Sequence, residues 1–129
     1  MHKFTSVICL LSVGLFTSMS VAAAATENDS VATQVLERGR VLFLDNCAEC
    51  HQSNGRGLKG IYPSLASSEV VRGSGTDVAL QLIIGRGEMP SFAGAMSPQD
   101  MADVVTYVRN AWGNKGDAID AISIERLLD

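Results

Sequence analysis

The stretch Cys47-Ala48-Glu49-Cys50-His51 decides how this chain is interpreted. It has the spacing C-x-x-C-H, which is the attachment signature of a c-type haem. Two thiols add across the two vinyl groups of one porphyrin, so they must lie a fixed distance apart on one short turn. The next residue then lies beneath the iron, where an imidazole nitrogen can bind as the proximal ligand. The motif therefore predicts one covalent haem c held by Cys47 and Cys50, with His51 as an iron ligand.

Three other uses of this motif are less well supported. A redox dithiol of the thioredoxin type needs a βαβ context, which the sequence lacks. A structural zinc site needs four ligands, and the other His and Cys of the chain, His2 and Cys9, both lie in a segment that we expect to be removed. A disulfide between Cys47 and Cys50 is a further alternative, but it gives His51 no role.

Residues 1–25 have the pattern of an export signal. A short basic start with Lys3 precedes an apolar run over residues 7–16, and small residues follow, ending in Ala22-Ala23-Ala24-Ala25. This order is typical of a secretory signal peptide and its cleavage site. The apolar run is shorter than the roughly 20 residues that a membrane span needs. We therefore expect cleavage after Ala25, a periplasmic location and no transmembrane anchor in the mature chain.

The remaining residues, 26–129, are expected to form one small domain. So short a chain has little core of its own, and a buried porphyrin would supply much of it. Removing Lys3 with the signal leaves nine Lys and Arg against 14 Asp and Glu, a net charge of −5. That balance argues against nucleic acid as a partner.

Apolar side chains at helical spacing predict helices and no convincing strand. The first helix is expected over about residues 31–46 and leads into the haem motif. Its interior Gly39 costs roughly 1 kcal/mol against Ala, which suggests close packing against another helix. The second is expected over about residues 76–84, capped by Thr76 and ended by Gly85. Its predicted apolar face consists of Leu80, Ile83 and Ile84.

The third predicted helix begins after Ser97, which is a good N-cap, and Pro98 suits its first turn. We expect it to end before Gly113. Its apolar positions form a helical stripe, made of Met101, Val104, Val105, Val108, Ala111 and Trp112. Three such helices predict an all-α fold.

Two segments outside these helices are less well defined. Residues 55–60 contain three glycines and predict flexible backbone that wraps the haem edge, because a phosphate-binding loop needs a preceding strand and a G-K-[ST] ending. Residues 115–129 are partly apolar. They can be a docking tail or a fourth short helix, and the sequence does not decide between them.

Three methionines that follow the haem motif are candidates for the second axial ligand, a soft thioether that raises the reduction potential. Met101 lies on the apolar stripe of the third helix, so packing explains it. Met96 and Met101 occupy the two positions of a hydrophobic staple around the Ser97 cap. Met89 lies in a loop with little need for a thioether, and Pro90 holds it extended. We therefore favour Met89.

Four stretches together resemble a class I cytochrome c: Cys47–His51, Tyr62–Ala66, Gly87–Phe92 and Asp103–Asn114. Their order and spacing are similar to those of a single-haem bacterial domain. The ending is also similar to the cytochrome c subunits of periplasmic quinoprotein and flavoprotein dehydrogenases and to cytochrome domains of some terminal oxidases. Those dehydrogenase subunits often carry several haems, whereas this chain has one motif. The resemblance implies a small all-α fold of three to five helices wrapped around one covalently bound haem.

The resemblance also implies roles for single residues. Pro63 matches the proline whose carbonyl accepts the proton on the second nitrogen of the proximal imidazole, and Leu65 matches a residue that packs on the haem. Gly39 and Phe43 match the pair on the first helix that crosses the last helix near Tyr107. The expected cofactor-binding residues are therefore Cys47, Cys50, His51, Pro63, Leu65 and Met89, of which His51 and Met89 bind the iron.

The function that the resemblance implies is periplasmic transfer of one electron on a His/Met-ligated haem. The expected donor is a periplasmic dehydrogenase, and the expected acceptor is an oxidase or another cytochrome. One alternative is a stable electron-transfer subunit of a dehydrogenase complex. Another is a haem enzyme or gas sensor in which Met89 is absent from the iron or easily displaced. No nucleophile is paired with a base in the chain, so we expect an electron carrier and not an enzyme.

Overall fold

The computed structural model describes residues 20–129, with side chains from residue 27 onward. Its helices are α1 (Ser20–Asn46), α2 (Ala48–His51), α3 (Glu69–Arg72), α4 (Gly75–Ile84), α5 (Pro98–Val108) and α6 (Ala121–Leu128). Over the same residues the β structure amounts to three isolated bridges. The all-α prediction is confirmed, and the helix number exceeds the expected three to five because α2 and α3 are single turns. The predicted signal peptide lies largely outside the described residues.

Helix α1 extends further toward the N-terminus than the sequence predicted. It is already helical at Ser20, the first described residue, instead of beginning near residue 31. The prediction followed apolar spacing, which residues 20–30 lack, but these residues include four consecutive alanines and neither Gly nor Pro. Alanine is the strongest helix former, which accounts for the longer helix. Across residues 20–129, neither α1 nor any other helix combines the length and the apolar character that crossing a membrane requires.

The crossing of α1 and α5 positions the C-terminal end of α1, which leads directly into the haem motif. A Cβ atom on Gly39 would lie 2.2 Å from the backbone oxygen of Asp103 and 2.6 Å from the Cβ of Tyr107. The expected close packing at Gly39 is therefore confirmed. Next to the crossing, the buried carboxylate of Asp103 accepts hydrogen bonds from Arg38 Nε at 2.6 Å and from Gln99 Nε2 at 2.8 Å. These contacts hold the two helices at backbone contact distance.

Helix α4 differs from its prediction in its cap and its buried face. Ser74 caps it by accepting a hydrogen bond from Thr76 N at 3.1 Å, so Thr76 is not the cap. The expected apolar face was wrong at Ile84, which is 70% exposed, whereas Ile83 packs against the core and Val78 and Ala79 are buried. The helix is apolar on most of its circumference, so periodicity alone does not identify its core face.

Helix α5 begins as predicted and ends earlier. Pro98 is its first residue, and Ser97 caps it by accepting from Asp100 N at 3.1 Å. It stops at Val108 instead of continuing to Gly113. The side-chain amide of Asn114 donates to Val108 O at 3.0 Å, and so satisfies one of the carbonyls that have no helical partner at this end.

The open choice for residues 115–129 is resolved by α6. Asp120 caps this helix, because its Oδ1 accepts a hydrogen bond from Ser123 N at 2.7 Å. Helix α6 packs against α4 and α5, and Ile124 is fully buried in the core between them. The end of the described chain is thus part of the core.

Candidate haem site

A cavity of about 560 Å³ lies beside the haem motif, within the size range of small-molecule and cofactor sites. All six residues that the sequence singled out for cofactor binding line it: Cys47, Cys50, His51, Pro63, Leu65 and Met89. Most of the other lining side chains are apolar and come from α1, α3, α4, α5 and the loops between them, including Phe43, Val71, Val78, Leu82, Phe92, Val104, Val105 and Val108. Such walls suit a large apolar ring system.

Cys47 is the N-cap of the single-turn helix α2, and Cys50 is its third residue. Cys47 N donates to Phe43 O, and His51 N donates to Cys47 O, both at 2.9 Å. Both cysteines are free thiols, so the disulfide alternative is not realised. Burial, together with the neighbouring Cys50, raises the pKa of the Cys47 thiol to about 11. A redox dithiol needs a lowered pKa instead.

The zinc alternative finds no support in the described residues either. Between residues 20 and 129, no three His, Cys, Asp or Glu side chains come together as a metal site requires. Structural zinc is bound by four such side chains in tetrahedral geometry.

His51 is oriented by a hydrogen bond to the backbone. Its Nδ1 lies 3.0 Å from the carbonyl oxygen of Pro63, and its side chain is buried against the cavity. A carbonyl oxygen can only accept, so Nδ1 carries the proton and Nε2 keeps a free lone pair. This is the tautomer that a metal-binding imidazole needs. His51 is thus ready to bind iron through Nε2.

Gly57 brings the Pro63 carbonyl to His51, and the sequence analysis did not single it out. A Cβ on Gly57, whose φ is +62°, would lie 2.3 Å from Tyr62 O and 2.5 Å from Pro63 O. Gly57 N donates to His51 O at 2.8 Å, and Leu58 and Tyr62 pair through both of their backbone groups. The loop is therefore a tightly hydrogen-bonded turn and not the flexible segment that its composition suggested. The sequence signal for Gly57 was its position between the haem motif and Pro63.

Gly55 has a similar part in holding Leu65 at the cavity. The backbone oxygen of Gly55 accepts from Leu65 N at 2.7 Å. A Cβ on Gly55 would lie 2.3 Å from the ring of Trp112, whose Nε1 donates to Ser53 O at 3.2 Å. The indole ring thus packs directly on the loop backbone, which leaves no room for a side chain there.

Met89 is the candidate methionine that lines the cavity, whereas Met96 and Met101 pack in the apolar core. Its loop is a tight turn in which the backbone N and O of Met89 pair with Arg86 O and N at 3.0 and 2.9 Å. Gly85 begins this turn with a φ of +72°, and a Cβ there would lie 2.6 Å from Met89 O. The loop therefore holds the thioether at the edge of the cavity.

Gln81 is a second residue that the sequence analysis missed. It lines the cavity, and its Nε2 donates to Met89 Sδ at 3.9 Å. A thioether sulfur is a weak acceptor with two lone pairs, so it can accept this contact and also bind a metal. The signal in the sequence was one polar residue inside the apolar run of residues 78–84.

These residues fit a covalently bound haem. Two thiols, one imidazole with a free Nε2 and one thioether surround an apolar cavity of suitable size, and they are the groups that c-type haem uses for attachment and ligation. Among the described residues, no buried side-chain nitrogen or oxygen lacks a hydrogen-bond partner.

Comparison with known proteins agrees with this site. The family described as cytochrome c oxidase, cbb3-type, subunit III has a model that matches residues 34–108, a range that contains the haem motif and Met89. Cytochrome c6 of Synechocystis sp. is 36% identical over 105 residues, which cover 78% of this chain and 78% of that protein. The chain belongs to this family and is a single-haem class I c-type cytochrome. Cytochromes of this class carry electrons on covalent haem c, so the chain is an electron-transfer protein and not itself an enzyme.

Two longer relatives match over part of their length. The cytochrome c subunit of alcohol dehydrogenase (quinone) from Gluconobacter oxydans is 30% identical over 121 residues, covering 78% of this chain and 25% of that protein. The cbb3-type cytochrome c oxidase subunit CcoP of Rubrivivax gelatinosus is 36% identical over 98 residues, covering 74% of this chain and 31% of that protein. The chain thus spans about a quarter to a third of the length of these relatives.

Proposed function

We propose that this protein is a periplasmic one-electron shuttle whose haem c is tethered by Cys47 and Cys50 and ligated by His51 and Met89. The observation that carries the proposal is the convergence of these four side chains on one apolar cavity. When bound, haem c supplies a one-electron redox couple at its iron. The protein supplies attachment, ligands, exclusion of water and a surface for partners.

Attachment is the task of the two cysteines. They would hold the haem through thioether bonds, each formed by addition of one S–H across one vinyl group, which needs neither an oxidant nor a reductant. Because Cys47 and Cys50 lie on the same helical turn as His51, the two bonds would fix the ring relative to the imidazole.

His51 and Met89 set the properties of the site. The Pro63 carbonyl holds the proton on His51 Nδ1, which fixes the ring and raises the basicity of Nε2. The soft sulfur of Met89 favours the reduced state and so raises the potential. With His51 and Met89 both bound, the iron would have no coordination position open to a substrate.

The relatives and the sequence support the proposed partners and location. The proposed donor is a periplasmic dehydrogenase, and the proposed acceptor is an oxidase or another cytochrome, in line with the names of the relatives. The export pattern of residues 1–25 supports the periplasm, where bacterial c-type haem is attached. Ile61 and Val70 line the cavity and are exposed, which gives a partner an apolar edge to dock on.

Extraction of the cofactor tests the attachment. Haem should stay with the purified polypeptide through denaturation and acid–acetone extraction, because thioether bonds survive both. The double variant Cys47→Ala, Cys50→Ala should release it, whereas Ser53→Ala, two residues beyond the motif, should retain it. Ferric wild-type protein should also show the long-wavelength absorption band of methionine-ligated haem. Haem that washes out of the wild type refutes the proposed attachment.

Electron transfer tests the function itself. The holoprotein should cycle between its ferric and ferrous states, and a periplasmic dehydrogenase from the same source should reduce it only when its substrate is present. The rate should depend on ionic strength if charge steers the encounter. Weaker reduction at low salt would indicate that like charges meet, and neutralising Arg56, Lys59 and Arg86 tests whether a basic face docks. Peroxidase or oxidase turnover by the intact protein contradicts a pure carrier.

Purification from the source distinguishes the shuttle from its main alternative. The relative in Gluconobacter oxydans is a dehydrogenase subunit by name, which favours a stable complex. The match with cytochrome c6 covers most of both chains, which favours a carrier with one haem domain. A protein that co-elutes stoichiometrically with a dehydrogenase is a subunit, and one that elutes alone is a shuttle.

A further inference from the structure

Helix α6 packs behind one wall of the haem cavity. Val78, Val105 and Phe92 line the cavity, and the same three residues belong to the apolar cluster around Ile124. Leu82 joins the cavity and this cluster as well, and its backbone oxygen accepts from Phe92 N at 2.9 Å. The side chains that face the cavity are thus supported from the other side by α6.

The backbone that leads into α6 is held by side chains of α5 and the turn after it. Thr106 Oγ1 accepts from Ile119 N at 3.2 Å, and Asn110 Nδ2 donates to Gly116 O at 2.9 Å. Arg109 Nη1 donates to the carbonyl oxygen of Asp117. These three hydrogen bonds hold residues 116–119 against α5, and so keep α6 packed on the core.

Arg109 connects this segment to the cavity wall. Its buried guanidinium donates from Nε to Val71 O at 3.2 Å and from Nη2 to Gly73 O at 2.7 Å, and Val71 lines the cavity. A Cβ on Gly116 would lie 2.8 Å from the guanidinium carbon, so the backbone packs directly on this group. One side chain thus joins α3, α5 and the segment before α6 through three carbonyl oxygens.

The loop that carries Met89 depends on this wall. It leaves α4 at Gly85 and is attached at its far end by the hydrogen bond from Phe92 N to Leu82 O. Both Leu82 and Phe92 belong to the cluster around Ile124. A shift of α4 or of Phe92 therefore moves the loop and its thioether.

We propose that Ile124 and Arg109 are positioning residues that keep Met89 on the haem iron by bracing the cavity wall from behind. This inference rests on the proposed ligation by Met89. Both residues lie beyond the range that the family model matches, which ends at residue 108. Ile124 acts through the cluster that contains Leu82 and Phe92, and Arg109 acts through Val71 and the segment that leads into α6. Neither residue lines the cavity.

Imidazole binding to the ferric holoprotein tests the brace. Imidazole binds only where Met89 has left, so its apparent affinity scales with the population of the open state. Ile124→Ala removes a fully buried side chain from α6 and leaves a cavity, and it should raise the imidazole affinity on the order of tenfold while weakening the long-wavelength band. Ile122→Ala is the matched control, since Ile122 lies on the same helix and is 57% exposed. It should leave both readouts unchanged.

Arg109→Lys gives an independent result on the same question. Lysine keeps the positive charge but has one nitrogen in place of the fork that reaches three carbonyl oxygens. Imidazole affinity should therefore rise in this variant too. If Ile124→Ala does not fold, Ile124→Val makes the smaller cavity and the same comparison applies.

A destabilised control separates bracing from general loss of stability. Wild-type holoprotein in mild urea, adjusted to the unfolding free energy of Ile124→Ala, is that control. If it binds imidazole as tightly as Ile124→Ala does, the brace is refuted. A wild type without the long-wavelength band refutes the Met89 ligation itself. A wild type with the band and an Ile124→Ala variant with unchanged imidazole affinity refutes only the brace.

Discussion

The side-chain amide of Gln81 donates a hydrogen bond to the sulfur of Met89 across 3.9 Å. The two residues come from different segments, the second turn of α4 and the loop that follows it. The amide points the positive end of an N–H dipole at the proposed ligand atom. Because ferric haem carries one more positive charge than ferrous haem, this dipole disfavours the oxidised state. Gln81 is thus expected to tune the reduction potential without binding the iron.

Gln81→Leu should lower the reduction potential. A hydrogen bond with a net worth of about 1 kcal/mol corresponds to roughly 40 mV for a one-electron couple. Potentiometric titration of the holoprotein measures the shift. Gln99→Leu is the control, because Gln99 also donates a side-chain hydrogen bond, to Asp103 in the helix crossing. A potential that is the same in Gln81→Leu and in the wild type contradicts the tuning role.

Met89→Ala should open the distal position of the haem. The variant loses its soft ligand, so its potential falls and it binds carbon monoxide when reduced and cyanide when oxidised. Met96→Ala should retain the wild-type spectrum and lose about 1 kcal/mol of unfolding free energy, a usual size for a partly buried contact. Ligand titrations followed by absorption and urea unfolding measure the two effects. The reverse pattern assigns the ligand role to Met96.

Gly57→Ala should damage the proximal side of the site far more than Gly60→Ala. Both glycines have positive φ, which costs an alanine about 1 kcal/mol, but a Cβ on Gly60 meets no atom within 4 Å. A Cβ on Gly57 clashes with Pro63 O and displaces it from His51. The imidazole then loses basicity, so the potential should rise in Gly57→Ala and stay unchanged in Gly60→Ala. Unfolding curves and potentiometry of both variants measure these effects. Equal reduction potentials and equal unfolding free energies in the two variants contradict the role of Gly57.

Local chemistry explains why most of the candidate site was predictable from the sequence. The C-x-x-C-H spacing is imposed by one porphyrin, and the proline after Met89 limits the backbone at that residue. The Ser97-Pro98 start of α5 is likewise a local signal and was confirmed. Each of these features depends on neighbours within a few residues, so one sequence contains the needed information.

The features that the sequence did not predict depend on contacts with residues outside the element concerned. Asn114, six residues beyond Val108, caps the end of α5. The buried face of α4 is the one that packs in the same core cluster as Ile124 of α6. Gln81 became a candidate only when the structure brought it to Met89. Periodicity reports which residues can be buried, but a short helix that is apolar on most sides has several possible core faces.

Acid should weaken the start of α6 through Asp120. Its hydrogen bonds with Ser123 hold the pKa of the Asp120 carboxyl below the ordinary value of 3.8. A lowered folded-state pKa means that the ionised cap stabilises the protein above the unfolded-state pKa, and that this stability is lost as the pH falls through the folded-state pKa. Urea unfolding across this acidic range should therefore show a loss of stability that Asp120→Asn lacks, because asparagine still caps the helix but does not titrate. If Asp120→Asn loses stability with acid as steeply as the wild type, the titration of this cap does not contribute.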